Sequence, residues 1–162
     1  MRLLLDANAF VWWVTDSPRL TAKARAAIAD ERNDVVIGIG ALWELVIKRS
    51  LQKLHFPFDF ETVLRDENFR VLAIGFAHLR ALDALPRHHH DPFDRLLIAQ
   101  ALVEGVPIAT GDRRFAAYGG ANRLVTQRLF GCQRRSEAGG GCRIHAALSG
   151  ESDTVAALGR LA

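Results

Sequence analysis

The sequence predicts an α/β protein, a three-layer sandwich with helices on both sides of a central, mainly parallel sheet. Three observations lead there. Four short apolar runs, Arg2 to Leu5, Val35 to Ile39, Phe69 to Ile74 and Val106 to Thr110, have the length and near-continuous hydrophobicity of buried strands. Longer segments between them carry helical periodicity and helix-start signals. Strand and helix alternate along the chain, and that order builds parallel sheets. At 162 residues, 49% of them hydrophobic, the chain suits one domain with a real core, or a domain plus a tail.

The elements follow in order. After the first strand and Asp6, Ala7 to Val14 reads as a helix carrying Phe10, Val11, Trp12 and Trp13. Asp16-Ser17-Pro18 is a turn, and Thr21 caps an alanine-rich helix that runs to about Asp30. Gly40 marks a turn after the second strand. Ala41 to about Ser50 is then a helix with Leu42, Leu45 and Val46 facing inward and Glu44 in its first turn. Asp59 caps a short helix over Glu61 to Asp66. Phe76 to Leu85 is helical and Pro86 ends it. Asp91 is an N-cap, Pro92 suits the first helical position, and Gly105 closes that helix. Phe93, Leu97 and Ala101 share one face of it, which predicts burial. Phe115 to Tyr118 is one helical turn.

From about Gly119 the character changes. Residues 1–120 read as the folded domain. Residues 121–162 read as a last edge strand over Leu124 to Thr126, then a glycine-rich tail with a short helix over Thr154 to Leu161. No apolar run reaches membrane-spanning length, and the start Met-Arg-Leu-Leu-Leu-Asp lacks a signal-peptide pattern, so a cytoplasmic protein is expected. The net charge of +3 suits a polyanion partner but is too mild to argue for one. Cys132 and Cys142 with His145 fit no standard zinc spacing and lack a fourth ligand.

The chemistry lies in four acids. Asp6 ends strand one, Glu44 opens the helix after strand two, Asp94 opens a helix at Asp91-Pro92, and Asp112 follows strand four. Singly, each is a cap or a solvated surface group. Together they fall at the C-terminal edge of the sheet, where sites form in this architecture. Gathered carboxylates repel one another unless a cation sits between them. Hard oxygen ligands select Mg²⁺ or Mn²⁺, and such sites assist phosphodiester hydrolysis.

The stretches Leu4-Leu5-Asp6-Ala7-Asn8-Ala9, Ala41-Leu42-Trp43-Glu44-Leu45, His90-Asp91-Pro92-Phe93-Asp94-Arg95-Leu96-Leu97-Ile98-Ala99-Gln100-Ala101 and Thr110-Gly111-Asp112-Arg113-Arg114-Phe115 resemble the PIN-domain ribonucleases, most of all the VapC-type toxins of bacterial toxin–antitoxin pairs. The resemblance covers about Met1 to Tyr118. It implies a Mg²⁺- or Mn²⁺-dependent endoribonuclease that acts on RNA, is inhibited by a cognate antitoxin, and forms a homodimer or a heteromer with that antitoxin. The family's acids carry over to Asp6, Glu44, Asp94 and Asp112, and its supporting polar residue to Thr110, with Asn8 beside them. The chain departs from the family at Ala7, Gly38 and Ala41, where small hydroxyl residues are common. Fewer hydroxyls remain to position waters or ligands.

Other residues are candidates for contacts. Arg95, Lys48 and Arg113 are candidates for RNA phosphates, with Arg49 and Lys53 nearby. Trp12 and Trp13 are adjacent and cannot both face one core, so one is a candidate antitoxin anchor. His88-His89-His90 reads as a solvated loop. A phosphatase using Asp6 as nucleophile would carry an acid two residues on, where Asn8 stands. A catalytically silent RNA- or partner-binding domain on the same fold is the alternative, kept open by the missing hydroxyls.

Overall fold

The computed structural model describes residues 1–88, 90–112, 115 and 118. The elements are β1 (Arg2–Leu5), α1 (Ala7–Val14), α2 (Ala22–Ala29), β2 (Asp34–Gly38), α3 (Ile39–Ser50), α4 (Phe60–Asp66), β3 (Arg70–Leu72), α5 (Phe76–Ala84), α6 (Pro92–Glu104) and β4 (Ile108–Ala109). The strands form one sheet in the order β3-β2-β1-β4, and every pairing is parallel. Leu5 is paired with Ile37 on one side and with Ala109 on the other, so β1 is central and Asp6 follows at mid-sheet.

Alternation along the strands divides the core into two. Leu3, Leu5, Val35 and Ile37 pack with Phe10, Trp13, Ile28, Leu45 and Val63 on one face. Leu4, Val36 and Ile108 pack with Leu97, Ile98 and Ala101 on the other. Sheet and two helical layers make the expected sandwich. Phe10, fully buried, has the rings of Phe56, Phe60 and Phe69 around it at 6.0 to 6.4 Å.

The local helix signals work as the sequence predicts. Asp6, Thr21, Asp59 and Asp91 each accept a backbone N–H of the helix they precede. Gly105 closes α6 in the left-handed region, at φ 66, and Val106 N–H then bonds to Ala101. Three expectations are corrected. Gly40 lies inside α3 and is buried rather than marking a turn, so Glu44 stands in the second turn. Val46 is exposed, because the apolar residues of α3 spread over more than its buried face. The third strand is shorter than Phe69 to Ile74: among the described residues β3 pairs with β2 alone, over Arg70–Leu72. The expected edge strand, the tail, Cys132, Cys142 and His145 lie outside the described residues. No helix among the described residues is long and apolar enough to cross a membrane.

Gly105 has open space where a Cβ would stand. Its replacement therefore tests backbone strain alone. Gly105→Ala is expected to lower unfolding stability by about 1 kcal/mol, measured by urea denaturation.

Candidate active site

Asp6 sits where the central strand turns into α1. Its Oδ1 accepts the Ala9 N–H at 2.9 Å and so caps α1. Its Oδ2 accepts the Thr110 hydroxyl at 2.5 Å. Thr110 Oγ1 in turn accepts the Asp112 N–H at 3.1 Å. One buried hydroxyl thereby ties the end of β1 to the chain that leaves β4. Asp6 is only 7% exposed, and burial raises its pKa above the ordinary carboxylate value. The hydrogen bonds from Thr110 and from the Ala9 and Asn8 amides oppose that rise, and the charge of Glu44 adds to it.

Asp6, Glu44 and Asp94 line one cleft with Ala7, Asn8, Ala41, Phe93 and Leu97. Its volume is about 20 Å³, room for roughly one water-sized particle. Three elements supply it: the entrance of α1, the second turn of α3 and the first turn of α6. Asp94 is half-buried in that first turn, where the helix dipole favours its charge. Glu44 is balanced by Lys48, Nζ to Oε1 2.5 Å. An ion pair four residues apart on a helix stabilises by only about 0.2–0.5 kcal/mol, so Lys48 is readily exchanged for a stronger cation. Asp112 is not among the residues lining this cleft and reaches the site through Thr110.

The donor set fits a hard divalent cation. Three carboxylates face one small space, and a cation there would offset both the burial of Asp6 and its repulsion by Glu44. Among the described residues no three His, Cys, Asp or Glu side chains form a preformed cage. A hydrated Mg²⁺ needs none, since it keeps several waters and uses one or two carboxylates. A larger cleft of about 450 Å³ lies among Trp13, Asn33, Val35, Asn68 and Phe69. It opens where β2 and β3 begin, the end of a parallel sheet opposite to where such sites form, so size does not select it.

Several proposed contact residues have other work. Arg95 donates to the carbonyls of Pro86, Leu82 and Leu85 at 2.8, 3.0 and 3.1 Å. It satisfies carbonyls at the chain end of α5. Lys48 holds Glu44. Trp13 is 4% exposed and gives its Nε1–H to Glu67 at 2.8 Å, while Trp12 is half-buried against the core. Neither is a freely exposed anchor: both pack on one core cluster, Trp13 within it and Trp12 against it. The exposed tryptophan is Trp43, 58% accessible and edge-on to Phe93 at 5.4 Å, which sequence reading passed over. The run Leu42-Trp43 before Glu44 held the only signal, an apolar residue out of phase with the buried face. Arg113 and His89 lie outside the described residues, and His88 stands against Tyr118.

A family model of the PIN domain matches residues 3–121. The chain belongs to the PIN domain family. Among PIN proteins it is similar to Ribonuclease VapC22 of Mycobacterium tuberculosis, 26% identical over 119 residues, which cover 72% of this chain and 91% of the relative. A solved structure of similar fold is VapBC2 from Rickettsia felis bound to a DNA fragment from their promoter. There the TM-score is 0.52 at 14% identity, over 74% of this chain and 94% of the other. The family match spans Asp6, Glu44, Asp94 and Asp112 together.

Asp6 makes stability depend on pH. Its raised folded pKa means that the folded state holds the proton more tightly than the unfolded state does. Stability is then highest below the unfolded value of 3.8 and falls as pH rises through the folded value. Asp6→Asn is expected to raise the melting temperature of metal-free protein at pH 7, the gain shrinking toward pH 4. Melting curves across that range check it; a loss at pH 7 would contradict it.

Proposed function

We propose that this PIN-domain chain is a metal-dependent endoribonuclease and the toxin half of a toxin–antitoxin pair. The observation that carries the reading is the convergence of Asp6, Glu44 and Asp94 on one cleft at the C-terminal end of a parallel sheet. The similarity to Ribonuclease VapC22 supports RNA as substrate.

Asp6, Glu44 and Asp94 would hold Mg²⁺ or Mn²⁺, with Asp112 at the rim beyond Thr110. When bound, the ion supplies a water of lowered pKa and charge stabilisation for phosphodiester hydrolysis. The chain's own residues prepare that chemistry. Thr110 holds the Asp6 carboxylate in one orientation. Lys48 balances Glu44 and can turn from it toward an incoming phosphate. Ala7 and Ala41 bring no hydroxyls to the cleft lining, so the carboxylates and Asn8 are the side chains that position water there. An inhibitor would present a guanidinium to the same acids, since it pairs bidentately with carboxylates. The absent hydroxyls favour, as second reading, a catalytically silent domain that binds RNA or a partner.

The two readings separate in one assay. Purified protein is incubated with total RNA in Mg²⁺ or in chelator, beside Asp94→Asn. Wild type is expected to cleave only with Mg²⁺, and Asp94→Asn to lose cleavage at least about a hundredfold with its melting curve retained, because Asn keeps the size but not the charge. A cognate antitoxin should suppress the cleavage. Cleavage in chelator, or by the variant at the wild-type rate, would overturn the assignment; RNA binding without cleavage would favour the silent domain.

A further inference from the structure

Two glycines stand at the start of α3, and neither serves backbone freedom. Gly38 has φ −69 and ψ 139, which any residue adopts, and Gly40 is helical. Within a helix alanine is the better former, so Gly40 is a local disadvantage. Both glycines instead face α6 closely. A Cβ on Gly40 would stand 2.6 Å from Leu96 Cδ2. One on Gly38 would come nearer to Gln100 Oε1 than the 3.0 Å that real Cβ atoms essentially never pass. Leu96 and Gln100 are one turn apart on α6 and share a face. Both are buried, at 8% and 1% exposure.

Gln100 cannot swing aside freely. Its Nε2 donates to the carbonyls of Leu72 and Ala73 at 3.4 and 3.3 Å, just where β3 ends. Exchanging its oxygen and nitrogen would set an oxygen against two carbonyls, so Oε1 is the atom that faces Gly38. That oxygen is buried and has no hydrogen-bond partner among the described residues. Gly38 is the N-cap of α3 and offers no side chain to its first turn. Gln100 Oε1 lies where such a side chain would begin, its partial negative charge toward the positive end of the helix.

We propose that this seam, Gly38 and Gly40 of α3 against Gln100 and Leu96 of α6, sets the spacing of Glu44 and Asp94. Gln100 is a positioning residue within it, its Oε1 set against the N-cap residue of α3 without a hydrogen bond. Glu44 lies four residues beyond Gly40, and Asp94 two before Leu96, so both carboxylates flank the contact. A methyl added in the seam drives the helices apart beside the cleft. Metal binding by Glu44 and Asp94 rests on the nuclease reading; the seam is a matter of packing.

The test uses the full chain, with melting curves and calorimetric titration of Mn²⁺. Gly40→Ala is expected to lower the melting temperature by several degrees, where helix propensity alone predicts a rise. It should also weaken Mn²⁺ binding about tenfold or more, the loss typical when a group supporting a metal ligand is disturbed. Adding Leu96→Ala to Gly40→Ala should recover Mn²⁺ affinity. Gly38→Ser and Gln100→Ala should each weaken binding, and together restore it, since a serine then caps α3 directly. Gly40→Ala with unchanged or raised melting temperature overturns the seam. Lowered melting with wild-type Mn²⁺ affinity overturns the positioning. Wild type that binds no Mn²⁺ contradicts the nuclease reading instead; the seam is then decided by the melting shifts of the paired variants, and additive shifts overturn it.

Discussion

The structure depends on one costly placement, a carboxylate buried at the end of the central strand. Asp6 is held there by the Thr110 hydroxyl and by amides of α1, and burial still raises its pKa. A buried carboxylate with another acid nearby is unfavourable for folding alone. Its neighbours make it useful. The parallel sheet sets β2 and β4 on either side, so the chain leaving each strand must pass the same edge. Glu44 comes from one side, Thr110 and Asp112 from the other, and α6 brings Asp94 across the front.

That arrangement separates support from chemistry. Thr110 and the α1 amides use up part of the hydrogen-bonding capacity of Asp6 and fix its direction. Glu44 is left in an ion pair weak enough to yield, and Asp94 stands in the first turn of α6, facing the same cleft. Arg95, next in sequence to Asp94, faces away and ties α5 to α6 through carbonyls. Neighbouring residues on one helix thus divide into a group for the cleft and a group for the scaffold.

Much of this was legible in the sequence because it is local. Asp91, Pro92 and Gly105 state the limits of α6, and the apolar runs state the strands, since capping and strand burial act over a few residues. The four acids could be placed at one edge from topology alone. The start of α3 was not legible. Glycine reads as a turn signal because of its backbone freedom, whereas Gly38 and Gly40 provide room for side chains of α6, some sixty residues away. The roles of Arg95 and Trp13 were missed for the same reason: their partners, the α5 carbonyls and Glu67, are brought by the fold. Trp43 was legible only as an apolar residue out of phase.

In the proposed nuclease, Asp6 at the end of β1, Glu44 of α3 and Asp94 of α6 together bind a divalent cation. The most direct measurement is the anomalous scattering of Mn²⁺ soaked into crystals of the wild-type protein. A peak bounded by Asp6, Glu44 and Asp94, with oxygen distances of about 2.0 to 2.3 Å and Lys48 turned away from Glu44, is the predicted result. Mn²⁺ bound elsewhere, or no peak beside Asp6 at saturating concentration, would contradict it.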